Sequence, residues 1–240
     1  MDQHLTNGST GQISAVTFFA KHAQKPPSKI CSVNRALCAR SNMAQQNKFE
    51  IFLSVSRHEL GHWVSAKSFD FNEDYIRILY RSDWRGNIYP DAYCKSFPQA
   101  DCPDIESVYK YLENRMVCLQ SGVASEFMIS GDGKIDISKV EEAYSDSASD
   151  DHKQINELIN IARGIRFAGK IDSKYEMSQK QTIGDECWRK AEEIIVGHYD
   201  FISEMSKLMA DKLIMSTHGV KFEKTEIEHI YQQHITSKSR

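Results

Sequence analysis

The fold is decided by the stretch Phe49-Glu50-Ile51-Phe52-Leu53-Ser54-Val55-Ser56-Arg57-His58-Glu59-Leu60-Gly61-His62-Trp63-Val64. Its apolar residues recur at steps of three and four, which is the spacing of one face of an α-helix. The pattern therefore predicts a helix that is buried along a broad stripe. It begins near Asn47, and Ser41 and Asn42 offer caps for its start.

The same stretch contains His58-Glu59-Leu60-Gly61-His62, a motif with a chemical mechanism. Residues four apart on a helix share a face, so His58 and His62 can bind one Zn²⁺ while Glu59 acts as general base toward a bound water. Zinc lowers the pKa of that water to about 7, which makes it a nucleophile toward a peptide carbonyl. Gly61 indicates that another element packs closely against this turn. The alternative is a chance match, in which the two histidines only form hydrogen bonds.

A catalytic zinc ion needs a third protein ligand. Spacing alone leaves four downstream candidates open, namely Glu126, Asp150, Asp151 and His152.

Composition argues against several classes of partner. The 240 residues include 30 Lys and Arg against 33 Asp and Glu, a net charge of −3, so we expect no nucleic-acid partner. No apolar run reaches the ~18–20 residues of a membrane span, which predicts a cytoplasmic protein without a membrane partner. The six cysteines are scattered and form no Cys-x-x-Cys pair, so we expect reduced thiols, including Cys94 and Cys102 in a loop.

The chain divides into two parts. Residues 1–45 are polar, carry Pro26-Pro27 and lack an apolar period, which predicts a partly disordered N-terminal extension. Residues 46–240 form the folded domain.

Beyond the first helix, the patterns predict a mainly helical (α+β) domain with a small sheet. Tyr75–Arg81 is rich in β-branched and aromatic residues and favours a strand, which Gly86 turns toward a partner strand at Asn87–Tyr89. Tyr93–Pro103 is expected to be a surface loop. The later segments are expected to be helices at Ile105–Met128, around Ile155–Ala162, and from Asp185 to His218, where Gly219 would act as C-cap.

The ordered series of motifs resembles the peptidase domain of the FtsH-type ATP-dependent zinc proteases over about residues 46–234. The family's His-Glu-Ala-Gly-His is similar to residues 58–62, and the strand and turn that follow it are similar to Ile76 through Gly86. Its Gly-Gly-Arg-Ala-Ala-Glu-Glu helix resembles Ser121-Gly122-Val123-Ala124-Ser125-Glu126, without the arginine and one glutamate. Its Gly-Ala-x-Asn-Asp-Leu segment resembles Ser147–His152, and the closing helices resemble the family's C-terminal bundle.

The resemblance implies a helical zincin-like domain that binds one Zn²⁺ per chain through His58, His62 and Asp151. His152 stands where the family has leucine, next to the implied ligand. The chain has no Walker A phosphate loop, so we expect peptide cleavage that does not depend on ATP. The resemblance also implies that a separate ATPase or adaptor could deliver unfolded polypeptide to this chain. Because the family works as hexamers, this chain could form an oligomer as well.

Two further sets of residues are candidates for supporting roles. Glu126 could orient a ligand histidine by hydrogen bonding, and its alternative role is that of a solvated carboxylate. Ile76, Ile78 and Tyr80 mark the strand whose edge could bind a peptide substrate as an added strand.

Together these features predict a zinc-dependent endopeptidase that hydrolyses flexible or unfolded polypeptides through a metal-activated water. The alternative is a catalytically silent regulatory or binding module that retains the peptidase fold. Glu59 favours the enzyme, because a purely structural zinc site needs no general base.

Overall fold

The computed structural model describes residues 37–129 and 133–238, with the side chains of residues 46–129 and 133–237. Helix α1 spans Leu37–Ser68, so it begins ten residues before Asn47, and Ser41 and Asn42 lie inside the helix instead of capping it. The last part of the predicted N-terminal extension, residues 37–45, therefore belongs to the first turns of α1. Residues 1–36 lie outside the described part.

The strands form one antiparallel sheet in the described residues, with the order β2-β1-β3. They are β1 (Glu73–Ser82), β2 (Ile88–Ser96) and β3 (Gly219–Phe222). The strand predicted at Tyr75–Arg81 is confirmed. The loop predicted from Tyr93 is wrong up to Ser96, because β2 stays paired with β1 that far and Cys94 packs against the core.

Strand β3 was not predicted, and it changes the position of β1 in the sheet. Gly219 begins this strand at φ +125°, where a side chain would collide with the backbone of Ile78, so it is a contact between strands and not a helix cap. Strand β1 is consequently central, with Ile76 and Ile78 fully buried and Tyr80 8% exposed. The prediction that these three residues offer an open edge to a substrate is wrong.

Six more α-helices follow α1 in the described residues. They are α2 (Ile105–Glu126), α3 (Ile137–Ala143), α4 (Ser149–Arg166), α5 (Glu176–Gly197), α6 (Tyr199–Met215) and α7 (Lys224–Lys238). The predicted helix from Asp185 to His218 is two helices, α5 and α6, that meet at His198. The chain bends there as His198 Nδ1 bonds the Ile194 carbonyl and its ring stacks on Tyr231.

Helix α1 lies between the sheet and the other helices. Its fully buried side chains include Phe52, Leu60, Trp63 and Val64. The Trp63 indole N–H donates to the Asp74 carbonyl at the start of β1. Helices α2 and α6 cover its remaining sides, while α4 and α5 form a second apolar cluster with α2. The predicted mainly helical class with a small sheet is confirmed. In the described part of the chain, no helix combines the length and apolar character needed to cross a membrane.

The two faces of β1 should respond differently to truncation. Ile78→Ala leaves a cavity in the core beneath the sheet and should lower the free energy of unfolding by about 2–5 kcal/mol. Leu79→Ala, on the opposite face at 36% exposure, is the matched control and should cost about 1 kcal/mol or less. Urea denaturation followed by circular dichroism measures both. Equal losses would contradict this orientation of the sheet.

Candidate metal centre

The two histidines of α1 point their Nε2 atoms at one place. His58 and His62 are one helical turn apart, their ring centroids are 4.8 Å apart, and their Nε2 atoms are 3.1 Å apart. Two imidazole nitrogens on one face of a helix are a common pair of zinc ligands.

Asp151, in the first turn of α4, completes the group. Its Oδ2 lies 3.1 Å from His58 Nε2 and 3.3 Å from His62 Nε2. The ligand atoms of this trio all lie within 4.8 Å of one another. The three side chains are between 15% and 18% exposed, so the group is sheltered but reachable from solvent. Three such donors fit a zinc ion, which accepts imidazole nitrogen and carboxylate oxygen.

The far nitrogens of both rings are held by hydrogen bonds. His58 Nδ1 lies 3.0 Å from Glu126 Oε2, and Glu126 Oε1 accepts a bond from the Ser54 hydroxyl at 2.7 Å. His62 Nδ1 lies 2.8 Å from the Cys118 carbonyl oxygen and donates to it. When Nδ1 carries the proton, Nε2 presents its lone pair, so these bonds set both rings for metal binding.

Glycines let α2 approach this face of α1. A Cβ on Gly122 would lie 2.6 Å from His62 Nε2 and 2.9 Å from His58 Nε2. A Cβ on Gly61 would collide with the Ser121 carbonyl oxygen, and the hydroxyl of Ser125 donates to the Arg57 carbonyl at 2.8 Å. The absence of a side chain at Gly122 therefore leaves the space in front of both Nε2 atoms open.

Asp151 supplies the negative charge of the trio. Burial opposes ionisation of Asp151, but the two imidazoles outweigh it and hold the pKa of that carboxyl well below its usual range. Burial likewise lowers the pKa of His58 and His62, yet interactions with Asp151, joined at His58 by Glu126, raise both pKa values overall. A metal ion can replace the protons that this carboxylate holds on the rings.

Glu59 lies beside the trio, toward the sheet. It is 6% exposed, and burial raises the pKa of its carboxyl, although His58, His62 and a hydrogen bond from the backbone N–H of Cys94 oppose that shift. The bond to Cys94 ties Glu59 to strand β2. A carboxylate with a raised pKa is a better proton acceptor.

The other candidates for third ligand lie elsewhere. The Asp150 side chain is 87% exposed and pairs with Lys153 at 2.7 Å. The His152 ring packs on Tyr144 with ring centroids 4.8 Å apart, and its Nδ1 lies 3.3 Å from the Tyr144 carbonyl oxygen. Glu126 contacts the far side of His58, so among the four candidates only Asp151 reaches the Nε2 atoms.

Two contributors to the centre were not identified from the sequence. Ser54 holds Glu126 and stands four residues before His58, so helical spacing could have indicated it. The Cys118 contact uses a backbone carbonyl, which every residue has, so no sequence signal could have indicated it.

Comparison of the chain with protein-family models and with curated proteins found no match. The resemblance to the FtsH-type peptidase domain therefore stays a prediction, and we infer the function from the geometry of the centre.

Replacing Gly122 by alanine should weaken zinc binding. The added methyl group would enter the space in front of both imidazoles, so we expect the dissociation constant to rise by about 10- to 100-fold, the usual effect of disturbed ligand orientation. Gly164→Ala, in an open part of helix α4 with nothing within 4 Å of the new Cβ, is the control. Competition with a chromogenic chelator measures the zinc affinity of both variants. An unchanged affinity in Gly122→Ala would refute the position of Gly122 in front of the two imidazoles.

Asp151→Ala should lose bound zinc, because it removes one of three donors. Asp150→Ala, one residue earlier on the exposed side of α4, is the matched control and should retain one ion per chain. Elemental analysis after dialysis against a small excess of zinc measures both. The opposite result, with zinc lost only in Asp150→Ala, would overturn the assignment.

Proposed function

We propose that this chain is a zinc-dependent endopeptidase of zincin-like build that hydrolyses peptide bonds in flexible or unfolded polypeptides. The observation that carries the proposal is the convergence of His58, His62 and Asp151 next to the buried carboxylate of Glu59. Catalytic zinc sites use three protein ligands and keep a position for water, whereas structural sites use four.

The roles follow from the positions of the side chains. Zinc bound by the trio would supply a water of lowered pKa and polarise the peptide carbonyl. Glu59 would accept the proton of that water and pass it to the leaving amine, and burial, which raises the pKa of its carboxyl, would make it a better proton acceptor. Glu126 and the Cys118 carbonyl would keep both imidazoles oriented throughout.

The peptide substrate is best accommodated along β2 in place of β1. Strand β1 is paired on both sides, so β2 and β3 are the edge strands of the described sheet, and β2 is the one that carries Cys94 beside Glu59. The backbone N–H of Cys94 donates to Glu59, which indicates that backbone groups at Cys94, and at Ala92 two residues away, face away from β1. A peptide added there as a strand would lie beside the proposed base, and backbone pairing would bind it with little regard to sequence.

An extended segment is required for such pairing, so a folded substrate would have to be opened first. The sequence holds no phosphate loop for that work. We propose that the chain acts alone on disordered segments and that a separate ATPase or adaptor could deliver folded ones.

Cleavage should depend on zinc and on Glu59 but not on ATP. A disordered protein such as casein should be cleaved slowly, a tightly folded protein should resist, and a zinc chelator should abolish the activity. Glu59→Gln removes the base while sparing the three ligands, so we expect a loss of about 10²- to 10⁴-fold in rate. Glu50→Gln, an exposed substitution on the same helix, is the control. Gel-based cleavage assays with and without ATP measure each effect.

Two results would count against this function. Cleavage that survives both the chelator and Glu59→Gln would refute the mechanism. Stoichiometric zinc without cleavage of any unfolded substrate would favour the catalytically silent module.

A further inference from the structure

The face of the sheet that points away from α1 combines aromatic rings with basic side chains. Side chains alternate between the two faces of a strand, so the residues between the buried Ile76, Ile78 and Tyr80 lie on this outer face. Together with their partners on β2 and β3, the residues of this face include Tyr75, Arg77, Arg81, Tyr93, Lys95 and Lys221. The contacts agree with this placement, because the Tyr75 and Tyr93 hydroxyls form a hydrogen bond and their ring centroids are 5.8 Å apart.

The cations of this outer face are held over aromatic rings. The Arg77 guanidinium lies 4.7 Å from the ring centroid of Tyr93, and the Lys221 ammonium lies 4.0 Å from that of Tyr75. Lys95 lies in the same way over Phe97, at 4.7 Å. A ring beneath a cation restricts its motion, so a ligand that binds the cation loses less conformational entropy.

The turn between β1 and β2 adds exposed apolar surface. Trp84 is 86% exposed in this turn, and the Arg85 guanidinium lies 4.6 Å from the centroid of its ring. Tyr89 and Leu79, which are 54% and 36% exposed, continue this surface along the outer face. Trp, Tyr and Arg are the residue types that most often dominate the affinity of protein interfaces.

The charge of this surface is opposite in sign to that of the whole chain. The outer face and the turn carry five basic residues against three acidic ones, whereas the chain has a net charge of −3. Two of the three acidic residues are already engaged. Asp83 accepts hydrogen bonds from the backbone N–H groups of Arg85 and Asn87, and Glu223 pairs with Lys221 at 2.9 Å. The third acidic residue is Asp91, so the surface favours an acidic partner.

We propose that this outer face of the sheet binds an acidic segment of a partner polypeptide. Carboxylates of that segment accept hydrogen bonds from Arg77, Arg81 and Lys95, and its apolar side chains contact Trp84 and Tyr89. The metal ligands of α1 lie on the other side of the sheet, so this binding requires neither zinc nor catalysis. The inference therefore does not rest on the proposed function.

A nucleic acid fits this surface less well than a polypeptide. Single strands bind by stacking bases on open aromatic rings, but Lys221 and Arg77 already lie over the rings of Tyr75 and Tyr93. The net charge of −3 also opposes a long polyanion more strongly than a short acidic segment.

The test measures binding of a short fluorescein-labelled peptide of glutamate and leucine to the full chain by fluorescence anisotropy. We expect saturable binding at physiological salt, and none for the peptide in which lysine replaces glutamate. Arg81→Glu combined with Lys95→Glu should raise the dissociation constant by about 10-fold or more, because each attraction becomes a repulsion. Trp84→Ala should raise it by about 5-fold or more, the effect of losing one aromatic anchor.

A matched control comes from another part of the chain. Lys174 lies 4.6 Å from the ring centroid of Tyr175, between α4 and α5, and both side chains are exposed. Lys174→Glu and Tyr175→Ala should leave the dissociation constant unchanged. Circular dichroism checks that every variant is folded, and the exposure of Trp84 makes Trp84→Ala a substitution that spares the core.

Three results would overturn the proposal. The first is absence of glutamate-peptide binding at physiological salt, and the second is binding that all the variants of the outer face retain. The third is tighter binding of phosphatidylserine vesicles or of single-stranded oligo-dT that is lost in the same variants, because the partner would then be a membrane or a nucleic acid. None of these results depends on cleavage, so they leave the peptidase to its own test.

Discussion

The close packing of helices α1 and α2 sets the geometry of the candidate metal centre. The helices meet at two glycines, Gly61 and Gly122, which have no side chain to keep them apart. Beside them the Ser65 hydroxyl donates to the Ser121 hydroxyl at 2.6 Å. This approach brings the Cys118 carbonyl and Glu126 to the far nitrogens of both histidines. Helix α2 therefore orients the two candidate ligands of α1 without supplying one itself.

The elements around the α1–α2 contact each contribute a group to the candidate metal centre. Helix α4 brings Asp151 at its first turn, where its carboxylate meets both imidazoles, and β2 brings the Cys94 backbone to Glu59. The Trp63 indole N–H donates to the Asp74 carbonyl and so links α1, the helix that carries Glu59, to β1. His58, Glu59, His62 and Asp151 are buried or half-buried ionisable groups. Each has an oppositely charged or hydrogen-bonding neighbour that offsets the cost of its burial, an arrangement typical of functional sites.

The sequence predicted the part of this arrangement that lies within one helix. The apolar period and the spacing of His58 and His62 are local, so α1 and its shared ligand face could be inferred directly. Asp151 came only from the resemblance, because spacing could not separate it from Asp150 or His152. Strand β3 has four residues and pairs with β1 from far along the chain, so the local pattern of β1 alone predicts an edge strand. The ring of His198, between α5 and α6, stacks on Tyr231 in another helix, a contact that no local pattern shows.

We propose that this chain holds one zinc ion through two imidazoles and one carboxylate, with a fourth position left for water. X-ray absorption at the zinc edge of the purified, zinc-loaded protein tests it most directly. We expect a four-coordinate ion with two imidazole nitrogens at about 2.0–2.1 Å, one carboxylate oxygen and one further oxygen that is not from the protein. Sulfur at about 2.3 Å, or a shell made of four protein ligands, would contradict it.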